Sequence, residues 1–160
     1  MKQIVLTQGQ YALVDDADYD WLNQYKWCAV NMKGNFYAVR MSPRRNGKQN
    51  KILMHRQILG LEEGDKRQGD HINHNTLDNR RDNIRICTQQ ENHMNRKSRP
   101  NTSSRFKGVS WCSRTKKWMA QIRINRKQIF LGRFRFEELA ALSYDFAALK
   151  YFREFANFNF

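Results

Sequence analysis

The chain has 160 residues, of which 40% are hydrophobic and 12% aromatic, and this apolar content excludes general disorder. Its net charge of +14 and pI near 10.1 predict a polyanionic partner, because clustered Lys and Arg side chains release counterions from phosphates. No apolar run approaches the roughly 20 residues of a membrane span, and no signal-peptide core follows Met1-Lys2. The three cysteines form no CxxC pair, which argues against a zinc ribbon or disulfide framework, so we expect a reducing, cytoplasmic setting without a membrane.

The positive charge is concentrated in one segment. Residues 1–91 carry 14 Lys and Arg against 11 Asp and Glu. Residues 92–136 carry 13 basic residues and no acidic one, whereas residues 137–160 carry 2 basic and 4 acidic residues. We therefore expect nucleic acid to bind the middle segment.

The first part of the chain predicts short strands and turns that form a small supporting sheet. IVLTQGQYALV has a Gly-containing break between two apolar runs, and DDADYDWLNQYKWCAV can hold one short helical turn. FYAVRM and KILMHRQIL flank an Asn46-Gly47 pair, which marks a turn between strands. We interpret His55, in the second of these runs, as structural or close to nucleic acid.

Residues 66–95 predict a loop, a strand and a short helix. NIRIC has the composition of a short strand. Thr88 precedes Glu91 by three residues, which is the capping-box spacing of a helix start. Asn92 then falls in the first turn of that helix.

The same residues contain a candidate site for phosphodiester hydrolysis. This reaction needs a divalent cation at the scissile phosphate and a general base that activates water. Asp70-His71 supplies a carboxylate and an imidazole, and Mg²⁺ accepts one carboxylate together with neutral oxygen ligands. The oxygens of Asp70 and Asn92 can converge on one cation, while Asn83 can hydrogen-bond either His71 or the loop backbone. The alternative is a solvated loop rich in turn-forming Asn.

These residues also carry a family resemblance. DHINHNTLDNRRDNIRICTQQEN resembles the HNH motif of phage and intron-encoded homing endonucleases, and the preceding residues, from about residue 3, are similar to the segment upstream of that motif. The resemblance implies a ββα-metal unit in which Asp70 and Asn92 bind Mg²⁺ or Mn²⁺, His71 is the general base and Asn83 orients it. Many HNH proteins have His as the helix ligand, but His93 is rotated about 100° from Asn92, so we favour Asn92. The implied setting is the cytoplasm of a bacterial or phage-infected host cell.

The composition changes after residue 95. Residues 96–104, RKSRPNTSS, are typical of a basic linker. FKGVSWCS, WMAQIRI and QIFLGRF predict three short strands, and WMAQIRI alternates between apolar and polar positions. From Phe136 to about Phe152 the apolar period becomes helical, which predicts one helix packed on the sheet.

This last segment resembles the Apetala and ethylene-response-factor DNA-binding domain. The matching stretches are KGV at residues 107–109, AQIR at 120–123, LGRF at 131–134, the AALSYDFAA helix and the closing NFNF. In that family the exposed sheet face contacts the major groove. The resemblance and the basic composition predict six DNA-binding residues, which are Lys107, Trp111, Arg114, Gln121, Arg123 and Gln128. Ser110, Gln121 and Phe130 depart from the plant pattern, so the plant target sequence does not carry over.

The sequence therefore predicts an α+β protein with two modules. A nuclease region at residues 1–95, with its HNH core at about 50–95, is followed by the linker at 96–104 and a DNA-binding domain at 105–160. The predicted function is a homing-type, metal-dependent endonuclease that binds double-stranded DNA as a monomer and makes a nick or a double-strand break. The alternatives are a DNA-binding regulator without catalysis and an RNA-binding protein.

Overall fold

The computed structural model describes residues 1–44, 46–98 and 102–160. The chain divides into two compact units, residues 1–89 and 90–160. Within the described ranges it contains four small antiparallel sheets and a few helices, which confirms the predicted α+β class. The predicted module boundaries at residues 95 and 105 stay a prediction, and residues 99–101 of the predicted linker lie outside the described residues. None of the described helices has the length and apolarity that crossing a membrane requires.

The first unit begins with two small sheets joined by a short helix. Strands β1 (Lys2–Val5) and β2 (Tyr11–Val14) form a hairpin, and helix α1 (Asp16–Leu22) follows. Strands β3 (Cys28–Met32), β4 (Asn35–Met41) and β5 (Lys51–Leu53) form a three-stranded sheet in chain order. Asn46 and Gly47 both have positive φ, at 49° and 75°, as the predicted Asn-Gly turn requires.

One predicted strand is in part a helix. The KILMHRQIL stretch forms β5 only as far as Leu53, and helix α2 (Met54–Ile58) begins at the next residue. The helix buries Met54, His55 and Ile58. They lie on one side because Ile58 follows Met54 by four positions and His55 by three. Burial of this face in the core overrides the local strand pattern.

The candidate site lies on a two-stranded ladder. Strands β6 (Gln68–His71) and β7 (Ile84–Cys87) pair antiparallel, and the long loop between them returns along β2. The core of the unit lies under these elements. Its largest fully buried apolar side chains are Leu22, Met54 and Val14.

The second unit is a three-stranded sheet with a helix on one face. Helix α3 (Gln89–Met94) begins directly after Thr88, as the capping-box spacing predicts. Strands β8 (Val109–Cys112), β9 (Lys117–Ile124) and β10 (Lys127–Phe134) form the sheet, with β9 in the centre. Helix α4 (Glu137–Phe152) packs against the sheet through a buried face that consists mainly of alanines.

Close packing of α4 on the sheet depends on small residues. Ala120 and Ile122 of β9 are buried, in agreement with the predicted alternation, and they face Ala140, Ala148 and their neighbours. Gly108 has φ of +75°, and a Cβ there would lie 2.0 Å from Cδ2 of Tyr144. Only glycine fits this position, both for the backbone conformation and for the approach of the ring.

Candidate active site

The β6–β7 ladder fixes the two residues of the predicted Asp-His pair. In the antiparallel register Asp70 lies opposite Arg85, and His71 lies opposite Ile84. Asp70 and His71 are both buried, at 6% and 5% exposure. Two charged or titratable side chains are thus held at the end of a strand that is paired along its length, which gives both a fixed backbone position.

The Asp70 carboxylate forms an ion pair across the ladder. Arg85 donates from Nε and Nη2 to Oδ2 of Asp70, at 3.0 and 2.9 Å. Both side chains are largely removed from solvent, at 15% and 7% exposure. Arg85 therefore compensates a buried negative charge that is expensive without a partner. Sequence reasoning missed Arg85, although a register that places it opposite Asp70 would have identified it.

Burial and one carboxamide control the state of His71. Burial lowers the pKa of His71, and its hydrogen bond with Asn79 and the charges of Asp70 and Asp78 act in the opposite direction. Nε2 of His71 lies 3.3 Å from Oδ1 of Asn79. Because Nδ2 of Asn79 donates to the Leu77 carbonyl, its Oδ1 is the atom that faces the ring. A neutral imidazole that donates from Nε2 to this oxygen has its lone pair on Nδ1.

A second histidine packs against the first. The rings of His55 and His71 are edge-to-face with centroids 4.7 Å apart, and the Tyr37 ring lies 6.0 Å and 6.2 Å from them. Burial, and then the charge of neighbouring groups, lowers the pKa of His55 to about 3. His55 is therefore a neutral ring that holds one side of His71, in agreement with its structural interpretation.

Gly69 allows this approach of the two rings. A Cβ at position 69 would lie 2.4 Å from Cδ2 of His55 and 3.2 Å from Cδ1 of Leu59. A contact of 2.4 Å is shorter than real Cβ atoms show in folded proteins, and 3.2 Å is tighter than most of their contacts. The glycine is therefore required by the position of His55 and not by its own backbone conformation.

Asn83 holds the loop backbone, which is one of the two roles that the sequence allowed for it. Its Nδ2 donates to the Asp78 carbonyl at 2.7 Å, and its Oδ1 accepts from the Asn73 amide at 3.0 Å. Asn79, which the sequence analysis did not single out, hydrogen-bonds the His71 ring through its carboxamide. In a stretch with many Asn residues, no local pattern distinguishes the one whose carboxamide turns toward the ring. The catalytic role of Asn83 stays a prediction.

Ion pairs and backbone hydrogen bonds fix the rest of the loop. Asp78 receives two 2.7 Å hydrogen bonds from Arg80. Arg81 makes the same pattern with Asp18 of α1, also at 2.7 Å. The Asn79 amide donates to the Leu13 carbonyl of β2 at 2.8 Å. The supporting hairpin and α1 therefore serve to position the loop that carries Asn79 and Asn83.

A comparison with known protein families agrees with this geometry. Residues 53–94 match the HNH endonuclease family. We call this range the HNH segment, and it begins at the end of β5 and continues through α2, the β6–β7 ladder and α3. The match supports a nuclease that acts on DNA. No curated protein matches the chain significantly.

The predicted helix ligand lies on the last element of the HNH segment. Asn92 is half-buried on α3, and His93 beside it is exposed. Residues 90–94 of this helix belong to the second compact unit. The choice of Asn92 over His93 as a metal ligand stays a prediction.

The residues of the HNH segment fit a hard divalent cation, which nucleases of this family typically use. Among the described residues no group of three or more His, Cys, Asp and Glu forms a metal cage. Mg²⁺ does not need one, because it keeps several waters and binds through one or two carboxylates and substrate phosphates. Asp70 supplies a buried carboxylate that already binds a cationic group, the Arg85 guanidinium. A carboxylate with neutral oxygen ligands therefore suits Mg²⁺ or Mn²⁺ better than Zn²⁺.

The outer face of the second unit's sheet carries several predicted DNA contacts. Gln121 and Arg123 alternate with the buried Ala120 and Ile122, so they lie on the face opposite α4. Gln128 pairs with Arg123 in the register, and its Nε2 donates to Oε1 of Gln121. Phe130 is 53% exposed on the same face, under the Arg133 guanidinium at 5.0 Å. Arg114 is exposed in the turn between β8 and β9.

The other two predicted contacts have partners within their own unit. The Lys107 ammonium donates to the Met94 carbonyl, and burial lowers its pKa to about 8. Side chains alternate along β8, so Trp111 lies on the same face of the sheet as Val109. Its ring packs edge-to-face on that of Trp118, with the ring centroids 5.0 Å apart. Trp111 is nevertheless 41% exposed. DNA binding by all six residues stays a prediction.

Proposed function

We propose that this protein is a site-specific DNA endonuclease of the homing type, which hydrolyses phosphodiester bonds with one bound Mg²⁺ or Mn²⁺. The observation that supports this most strongly is the buried Asp70-His71 pair on a hairpin that lies within the HNH segment. A carboxylate and a neutral imidazole in adjacent positions are the groups that metal-assisted hydrolysis requires.

His71 acts as the general base. Its neutral state is favoured because burial lowers its pKa, and an unprotonated ring is needed to accept a proton. With the Nε2 hydrogen directed to Asn79, the proton from the attacking water is taken at Nδ1. His55 and Tyr37 hold the ring from the other side and limit its rotation. Asn83 acts indirectly, since it fixes the loop that carries Asn79.

Asp70 and Asn92 are the proposed metal ligands. When bound, the cation contributes Lewis-acid stabilisation of the charge that develops on the phosphate and the leaving oxygen. Arg85 orients the Asp70 carboxylate through hydrogen bonds from Nε and Nη2 to its Oδ2. His93, the next residue on α3, is the alternative metal ligand.

The second unit is proposed to read the target site as an Apetala and ethylene-response-factor-type domain. Ten basic residues and no acidic one lie between residues 103 and 136, which favours binding to phosphates. A β-sheet face can enter the major groove, where Arg123 and Arg114 can contact guanine or phosphate, and Gln121 and Gln128 can contact adenine. Lys107 and Trp111 contribute from the rim. An attached reader lengthens the recognised site and raises the affinity of a nuclease unit.

A cleavage assay on long supercoiled DNA at low salt tests this function. The native chain, His71→Ala and Asn92→Ala are compared with Mg²⁺, with Mn²⁺ and with EDTA. The proposal predicts scission by the native chain with either cation, none with EDTA, and none by either variant. The appearance of open circles before linear DNA identifies nicking, whereas direct conversion to linear DNA identifies a double-strand break.

The other outcomes separate the alternatives. Scission that survives in Asn92→Ala but not in His93→Ala assigns the helix ligand to His93. Tight and salt-sensitive binding to duplex DNA without scission, on a library that covers the host genome, favours a DNA-binding regulator. Stronger binding to RNA than to duplex DNA would contradict the proposed substrate.

A further inference from the structure

Ile72 is an exposed apolar residue next to the candidate active site. It directly follows His71 and is the one large apolar residue in the polar stretch HINHNT at residues 71–76. It is 42% exposed. A single exposed isoleucine is ordinary on a protein surface, so what distinguishes Ile72 is its fixed backbone and its position relative to Asp70.

Three hydrogen bonds fix the backbone around Ile72. The amide of Ile72 donates to the Asn83 carbonyl at 2.8 Å. The next residue, Asn73, donates from its amide to Oδ1 of Asn83 and from its Nδ2 to Oδ2 of Asp78, both at 3.0 Å. The side chain of Ile72 is therefore presented from an ordered turn, so covering it with a ligand costs little backbone entropy.

Ile72 lies on the same face of the β6–β7 ladder as Asp70. The hydrogen bond from the Ile72 amide to the Asn83 carbonyl continues the antiparallel register by one pair beyond His71 and Ile84. Side chains alternate along such a ladder, so residues 70 and 72 project on one side, about 7 Å apart along the strand. An exposed apolar side chain thus lies beside the carboxylate that is proposed to bind the cation.

We propose that Ile72 packs against the deoxyribose next to the scissile phosphate and thereby selects DNA over RNA. The inference rests on the proposed nuclease function, which brings the scissile phosphate beside Asp70 and His71. The phosphate is covalently linked to its two flanking sugars, so one of them comes next to an exposed side chain about 7 Å along the strand. An isoleucine covers the C2′ methylene of deoxyribose favourably, whereas the 2′-hydroxyl of ribose loses water there and finds no hydrogen-bond partner on Ile72.

The expected discrimination between the two sugars is moderate. A hydrophobic pocket rejects a ligand that has one added hydroxyl by a factor of about 100. Ile72 covers the sugar from one side only, so water still reaches part of the 2′-hydroxyl and reduces the penalty. We therefore expect a factor of about ten in cleavage.

Cleavage of duplexes with modified sugars tests the proposal. The cut is first mapped on the supercoiled DNA of the cleavage assay. Short duplexes are then made with deoxyribose, ribose or 2′-fluoro-deoxyribose at each of the two nucleotides that flank the cut in turn. The 2′-fluoro sugar has the pucker of ribose but no hydroxyl, so it separates the shape of the sugar from its polarity. At one of the two positions the native chain should cleave the ribose duplex about tenfold more slowly than the other two.

Two variants of similar shape isolate the contact. Ile72→Val and Ile72→Thr both have branched side chains of nearly equal size, but only threonine offers a hydroxyl that can hydrogen-bond the 2′-hydroxyl. We expect the ratio of deoxyribose to ribose cleavage to stay near the native value in Ile72→Val and to fall to about threefold or less in Ile72→Thr. Both variants should keep the native thermal midpoint, because position 72 is exposed.

Ile86 provides the matched control. It is 39% exposed on β7, opposite Gly69 in the register. Arg85, the residue before it, is paired with Asp70, so Ile86 projects from the other face of the ladder. Ile86→Val and Ile86→Thr should therefore leave the sugar selectivity unchanged.

The outcomes separate this inference from the proposed function. Equal selectivity in Ile72→Val and Ile72→Thr would overturn the contact, and so would native cleavage of ribose and deoxyribose duplexes at the same rate. A 2′-fluoro duplex that is cleaved as slowly as the ribose duplex would assign the selectivity to sugar pucker and would also overturn it. An absence of cleavage on every DNA would instead overturn the nuclease function, and the sugar contact with it.

Discussion

Gly69→Ala is expected to destabilise the first unit because of His55 alone. The added methyl would lie 2.4 Å from Cδ2 and 3.1 Å from Nε2 of the His55 ring. The ring is 6% exposed and is held by His71 at 4.7 Å and Tyr37 at 6.0 Å between centroids, so it cannot move away without displacing them. Adding a methyl group to a packed site of this kind costs about 1–3 kcal/mol.

The assay measures the free energy of unfolding by urea and heat in two backgrounds. In the native background each kcal/mol should lower the midpoint of the first unit's transition by about 4–8 °C, as for a domain of 60–100 residues. In the His55→Ala background the ring is absent, so the cost of Gly69→Ala should fall below about 1 kcal/mol. The strand propensity of alanine contributes equally in both backgrounds, so it cancels when the two costs of Gly69→Ala are compared.

An equal cost in both backgrounds would refute this reasoning. The loss of stability would then come from the β6 backbone and not from contact with His55. In the native background Gly69→Ala should also lower the rate of cleavage, since His55 transmits the displacement to His71.

Three further predictions concern the pH response, the loop and the DNA interface. Burial lowers the pKa of His55 to about 3, so below about pH 6.5 the unfolded chain binds a proton that the folded chain does not. The free energy of unfolding should therefore fall by up to about 1.4 kcal/mol for each unit by which the pH is lowered between 6.5 and 3. Subtracting the pH curve of His55→Gln from that of the native chain isolates the contribution of His55. Two parallel curves would contradict the prediction. Asn83→Ala leaves the Asp78 carbonyl and the Asn73 amide without their partner, and it should cost about 1–3 kcal/mol in urea denaturation, whereas a cost near zero would exclude a role in holding the loop. Arg123→Ala should reduce the slope of log Kd against log salt for duplex DNA by about one, and Glu137→Lys, on the opposite side of the second unit's sheet, should not reduce it.

Much of the fold could be predicted from local patterns. The alternation in WMAQIRI gave β9 and its buried Ala120 and Ile122, and the helical period after Phe136 gave α4. These elements follow from burial of one face, which a periodic sequence records directly. The helix α2 was not predicted, because five residues are too few to show a helical period and the surrounding apolar run is typical of a strand.

The sequence predicts the reactive groups of the candidate site, but it does not indicate the side chains that contact them. Asp70 and His71 are predicted from the chemistry of their side chains and from the resemblance to the HNH motif, and their roles stay a prediction. Asn79 and Arg85 support them through contacts that depend on the register of the β6–β7 ladder and on the path of the loop. Neither is encoded in a short spacing, so the antiparallel pairing had to be known first.

The exposed face of α4 illustrates a different limit. Sequence periodicity predicted one helix packed on the sheet, and it did not separate the alanine face, which contacts the sheet, from the leucines on the opposite side. A helix with two apolar faces has the same composition as a fully buried one. Only the position of the sheet distinguishes the face that is covered from the face that is exposed.

If His71 performs the chemistry at a site that binds DNA, its removal should affect cleavage and not binding, and one variant measured in both assays separates the two. Fluorescence anisotropy gives the Kd of the native chain and of His71→Ala for the same duplex, and single-turnover cleavage with Mg²⁺ gives the rate on that duplex. We expect an unchanged Kd and a cleavage rate reduced by a factor of about 100 or more, which is the usual contribution of a general base. Equal cleavage by both proteins would contradict the assignment of His71.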